Sequence, residues 1–126
     1  MYEVIVKNHF SAAHQLKSEK GVYENLHGHN WKIDVVVEAP QLDAIGTVID
    51  FSVVEHETQC LVDLFDHRVL NELKCFEDLN PSSENVARFC FESLKEKLKA
   101  YPIQLKKVTI WETDFLGASY RGEVTS

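Results

Sequence analysis

The stretch "ENLHGHNW" sets two histidines, His27 and His29, on either side of Gly28. Side chains two residues apart on a strand point the same way, so the two imidazoles can converge on one point, with Gly28 keeping the gap between them open. His14 closes "FSAAH" at the end of an earlier apolar alternation and comes alongside if the two strands pair. Three neutral histidines with a vacant fourth position describe a catalytic zinc site, because structural zinc sites are closed by four protein ligands. The chain holds six histidines in 126 residues, and an H-x-H pair also fits core or surface histidines. His9 and His56 are read in that plain way, and on residue types alone both readings of the three stay open.

The elements that must position these groups are legible as alternations. "MYEVIVKNHF" puts Tyr2, Val4 and Val6 on one side and Glu3, Ile5 and Lys7 on the other; "WKIDVVVEA" alternates Trp31, Ile33, Val35 and Val37 with Lys32, Asp34 and Glu38. Both read as strands. The polar connection between them, "SAAHQLKSEKGVYENLHGH", is long, and long connections in small domains tend to carry function. Ser52 and Glu55 form a capping-box pattern ahead of a helical face made by Val53, Val54, Leu61 and Leu64. A second helix starts in "NPSSENVARF", with Val86, Phe89, Cys90, Leu94 and Leu98 at helical spacing and Pro102 as its stop. "LKKVTIWET" and "GASYRGEV" follow as strands. The order predicts an α+β domain over 1–126, an antiparallel four-stranded sheet with two helices on one face.

Composition narrows the function. A net charge of −7 disfavours a nucleic-acid surface, which needs clustered Lys and Arg, but leaves room for a small phosphorylated ligand in a locally basic pocket. With 44% hydrophobic residues the chain builds a core without disulfide staples. Cys60, Cys75 and Cys90 lack C-x-x-C spacing and are expected to be small buried apolar residues. No signal-like N-terminus and no apolar run near the roughly 20 residues of a membrane helix is visible, so a cytoplasmic protein without membrane partners is expected.

Taken in order, "FSAAH", "HGHNW", "VIDF", "LFDHRVLN", "NPSSENVA" and "IWET" resemble the 6-pyruvoyl-tetrahydropterin synthase family over nearly the whole chain. The resemblance implies the T-fold, in which the sheets of three subunits join into a barrel and two trimers stack into a homohexamer with active sites at subunit junctions. It implies Zn2+ on His14, His27 and His29, a proton-handling pair in Asp66 and His67, and a pterin anchor in Glu112. A carboxylate suits that last role, since it can accept two parallel N–H bonds from the pterin edge. The hydroxyls of Ser82 and Ser83 fall on positions that line the pterin, and Asp50 is expected in a structural turn or behind a site residue that it supports.

One departure decides between branches of the family. Members that make 6-pyruvoyl- or 6-carboxy-tetrahydropterin carry a cysteine four residues before the first histidine of "HGH", where this chain has Tyr23, followed by Glu24. The resulting E-x-x-H-G-H pattern is similar to a branch that cleaves the side chain of 7,8-dihydroneopterin triphosphate to 6-hydroxymethyl-7,8-dihydropterin, a folate precursor. The resemblance therefore implies a zinc-dependent retro-aldol lyase with Glu24 as base, acting on a pterin triphosphate. The alternatives are a 6-carboxy- or 6-pyruvoyl-type lyase using another base, and a zinc- and pterin-binding protein without turnover. Lys17, Lys20, Lys32 and Arg68 are candidates for the triphosphate by proximity in sequence.

Overall fold

The computed structural model describes residues 1–124; Thr125 and Ser126, the end of the expected domain, lie outside the described residues. The chain runs β1 (Tyr2–His14), β2 (His27–Ala39), α1 (Phe51–Phe65), β3 (Arg68–Val69), α2 (Ser83–Leu98), β4 (Gln104–Trp111) and β5 (Gly117–Tyr120), with two short 3-10 turns between β3 and α2. These strands form one sheet in the order β3-β1-β2-β4-β5. The sheet therefore has five strands rather than the expected four. The added strand, β3, is a two-residue piece lying parallel to β1 at Ala12 and Ala13, too short to leave a periodic signal. Other pairings are antiparallel, as expected.

Strands β1 and β2 are the long central hairpin, in continuous register from Tyr2 opposite Ala39 to His14 opposite His27. Alternation turns Val6, Phe10, Trp31, Ile33, Val35 and Val37 toward α1 and α2, where they join Val54, Leu61, Phe65, Val86, Leu94 and Leu98 in one core. Phe10 stacks on Trp31 with ring centroids 5.8 Å apart and meets Phe65 at 5.2 Å. Burying a side chain of this kind contributes about 1.5–3 kcal/mol, so the rigidity of the hairpin comes from its helix-facing side.

The caps differ in part from expectation. Asp50, not Ser52, is the N-cap of α1, its carboxylate accepting from Ser52 N at 2.9 Å. Val53 is only partly buried and Leu64 is exposed at 39%, whereas Thr58, Val62 and Phe65 complete the buried face. Among the cysteines only Cys90 is buried; Cys60 is exposed on α1 and Cys75 is intermediate. Among the described residues no helix is long and apolar enough to cross a membrane.

Candidate metal and active site

The hairpin register builds the histidine cluster. His14 pairs with His27 and Ala12 with His29, and strand parity turns all three imidazoles to the helix side of the sheet beside Trp31. Ring centroids lie 4.6 Å apart for His14 and His27, 4.8 Å for His27 and His29, and 5.7 Å for His14 and His29. The gap at Gly28 is not a steric need of this chain, since a Cβ there would meet only Ala12 O, at an ordinary 3.8 Å.

Hydrogen bonds fix which nitrogen of two rings is free. His14 Nδ1 lies 2.7 Å from Pro81 O, and His27 Nδ1 lies 2.9 Å from Asn25 O. A carbonyl oxygen only accepts, so each Nδ1 carries the proton and each Nε2 presents a lone pair, the arrangement that orients metal-binding histidines. The Nε2 atoms of His14 and His29 are buried and have no hydrogen-bond partner. Desolvation, opposed in part by the Glu112 charge, lowers the His29 pKa below its ordinary value.

Glu112 enters the same cluster from just beyond β4, its backbone N–H donating to Leu116 O at 2.9 Å. Its Oε1 lies 2.9 Å from His14 Nε2 and 3.9 Å from His29 Nε2. With the His14 proton on Nδ1, the 2.9 Å contact sets one acceptor against another. Such a contact is favourable only if a cation or a further proton lies between them. Ligand atoms of His14, His27, His29 and Glu112 all fall within 4.8 Å of one another, so the donor set fits a divalent metal of the zinc type.

Glu24 lies at the rim of this cluster. The connection after β1 folds back through a bridge between Lys17 and Tyr23, and Glu24 N donates to Leu16 O at 3.0 Å. One carboxylate oxygen accepts from Leu16 N at 3.0 Å and stands 3.9 Å from His27 Nδ1. Tyr23, at the position of the missing cysteine, is half exposed, with the Lys17 ammonium 5.7 Å from its ring centroid. The three cysteines all lie outside this loop, and burial pushes the Cys75 and Cys90 thiols up in pKa, away from the reactive thiolate.

Asp66 and His67 close α1. Asp66 is its C-cap, and His67 takes a left-handed backbone, φ 58°, that turns the chain into β3. Asp66 Oδ1 accepts from Ser11 N at 2.8 Å, His67 N donates to Ser11 O at 2.6 Å, and the His67 ring nitrogen lies 3.5 Å from Asp66 Oδ2. The pair is thus pinned to the outer edge of β1, and His67 lines an open cleft of about 450 Å³ that also takes in His29, Asn30 and Arg68. Ser82 caps α2, its hydroxyl accepting from Asn85 N at 3.2 Å, and Ser83 is the first residue of that helix. Of the basic candidates, Lys32 is paired with Asp114 at 2.7 Å, and Arg68 lines the cleft. Sequence reasoning missed the Pro81 carbonyl, which carries no side-chain signal beyond its place in "NPSSEN".

An α+β chain with helices on one side of its sheet and a histidine cluster at the end of its central hairpin has the architecture of a T-fold subunit. It superimposes on the solved 6-pyruvoyl tetrahydropterin synthase of Caenorhabditis elegans with a TM-score of 0.86 and 33% identity, over 97% of this chain and 96% of that one. Residues 3–123 match the 6-pyruvoyl tetrahydropterin synthase family, and the chain belongs to it. It is 33% identical over 114 residues to the dihydroneopterin monophosphate aldolase of Pyrococcus furiosus, covering 90% of this chain and 92% of that protein. It is 37% identical over 128 residues to a putative 6-pyruvoyl tetrahydrobiopterin synthase of Caenorhabditis elegans, covering 90% and 89%.

Proposed function

We propose that this protein is a zinc-dependent pterin carbon–carbon lyase that cleaves the side chain of 7,8-dihydroneopterin triphosphate to 6-hydroxymethyl-7,8-dihydropterin. The observation that carries this reading is Glu24, a carboxylate oriented by the Leu16 N–H beside His27, in a loop that has no thiol. Its similarity to an aldolase acting on a dihydroneopterin phosphate supports the same reaction class.

His14, His27 and His29 would hold the metal, which when bound supplies a Lewis acid that lowers the pKa of the substrate's side-chain hydroxyls. Glu24 takes the proton from the hydroxyl on the second side-chain carbon. That carbon becomes an aldehyde as its bond to the first carbon breaks, and the electron pair passes onto the first carbon in conjugation with the ring. Asp66 and His67 return a proton to that carbon, and the phosphorylated two-carbon aldehyde leaves. Asp66 orients His67 for this role, as a carboxylate beside an imidazole sets its tautomer and basicity. Glu112 accepts from the pterin's amino group and ring N–H, with Ser82 and Ser83 along the ring. In this reading the subunits assemble as a dimer of trimers, so that the edge carrying Asp66 and His67 completes a neighbour's cluster.

The test is product identification. Zinc-loaded protein is incubated with dihydroneopterin triphosphate and, separately, with the monophosphate, and the oxidised pterins are separated. Formation of 6-hydroxymethylpterin is expected, and the two arms decide the phosphate chain that the site accepts. Glu24→Gln, nearly the same in shape, should lower that rate roughly 100-fold or more by removing the proton acceptor. A second reading, a 6-pyruvoyl-type lyase, is favoured by the similarity to the Caenorhabditis elegans proteins. A 6-pyruvoyl or 6-carboxy product, or unchanged turnover in Glu24→Gln, would overturn the aldolase-type reading.

A further inference from the structure

Two asparagines in the motifs "LFDHRVLN" and "NPSSENVA" take no part in the chemistry above, yet make the same paired contact. Asn71 Oδ1 accepts from Gln15 N at 2.9 Å, and Asn71 Nδ2 donates to Gln15 O at 2.7 Å. Asn80 Oδ1 accepts from Lys17 N at 2.8 Å, and Asn80 Nδ2 donates to Lys17 O at 2.8 Å. A carboxamide presents a donor and an acceptor side by side, as a peptide group does, so each asparagine stands in for a strand partner just where β1 runs out of sheet.

The alternation of an extended chain gives this a consequence. Gln15 and Lys17, two apart, offer their backbone groups to one side, while Leu16 between them offers its own to the other. On that other side both Leu16 groups are taken by Glu24, Leu16 N donating to Glu24 Oε1 at 3.0 Å and Glu24 N donating to Leu16 O at 3.0 Å. The three-residue stretch is thus gripped by asparagines on one flank and by Glu24 on the other. Asn80 is itself held, Asn85 Nδ2 donating to Asn80 O at 2.8 Å, and the next residue, Pro81, accepts from His14 Nδ1.

We propose that Asn71 and Asn80 are positioning residues that hold Gln15–Lys17 extended, so that the Leu16 N–H fixes one oxygen of Glu24 and leaves the other free to take the substrate proton. The proposal rests on the reading of Glu24 as the base.

Asn80→Asp keeps the shape but turns a donor into an oxygen facing Lys17 O, opening the grip by repulsion. The expected result is kcat lowered about tenfold or more, because displacing a reacting group by about 1 Å can cost up to about 100-fold in rate, with KM and zinc content close to those of the parent protein. In a Glu24→Gln background the same change should add little further loss to the residual rate, since the group it positions has gone. A role confined to stability would lower the rate by the same factor in both backgrounds. Asn80→Ala, which removes the grip without repulsion, is measured in parallel and should show the same dependence on Glu24 should the aspartate variant fold poorly. Unchanged kcat in both variants, or equal losses in both backgrounds, would overturn the proposal while leaving the base assignment intact. Normal turnover in Glu24→Gln alone would instead remove the base reading, and this proposal with it.

Discussion

At the scale of single residues, the most informative contact is the one between His14 Nε2 and Glu112 Oε1, two acceptors 2.9 Å apart. It gives the metal-free protein a local cost that a bound cation removes. Glu112→Gln should therefore stabilise the metal-free protein by about 1 kcal/mol, because the amide can donate to the His14 lone pair. Chelator-treated parent and variant compared by denaturant titration will show it, and a variant that is less stable than the parent would mean the contact is already satisfied. His27→Ala should lose most bound zinc while remaining folded, since this side chain is partly exposed and contributes one of three imidazoles. Metal content by emission spectrometry decides it, and full occupancy would remove His27 from the ligand set.

At the scale of elements, the helix caps separate structure from chemistry. Asp50 caps α1 at the opposite end from Asp66 and His67, its carboxylate accepting from Ser52 N. Asp50→Ala should cost about 1 kcal/mol, a fall in Tm of about 3–5 °C for a domain of this size, with kcat unchanged. A loss of activity without loss of Tm would assign Asp50 to the site instead. The four longer strands and both helices were legible because alternation and helical spacing are local signals, whereas the hairpin register is set by the meeting of two apolar faces and appears only in the structure. The cap was misread because Ser52 and Glu55 mimic a capping box two residues past the true cap. β3 was invisible because two residues carry no period, and it lies directly after the contacts of Asp66 and His67 with Ser11. The three histidines could be grouped from spacing, whereas the Pro81 carbonyl and the asparagine grips depend on segments 56 to 67 residues away and leave no local mark.

At the scale of the whole molecule, the sheet surface away from the helices is left open in a single chain. It carries Lys7 paired with Asp34 at 3.1 Å, the Trp111 indole N–H donating to Asp34 at 3.1 Å, Lys106 paired with Glu3, and Ile5 at 55% exposure. The proposed barrel would enclose that surface and bring the β3 edge of one subunit to the cluster of the next. Light scattering of the zinc-loaded protein should give six times the subunit mass; a fully active monomer would rule the shared site out. Trp31, wholly buried, has its ring 4.8 Å from His14 and 5.8 Å from His29. An indole that close to the cluster makes the fold its own optical sensor. Its emission should be quenched by paramagnetic Co2+ and spared by zinc, so metal exchange can be followed in the unlabelled protein, in real time, without any substrate turning over.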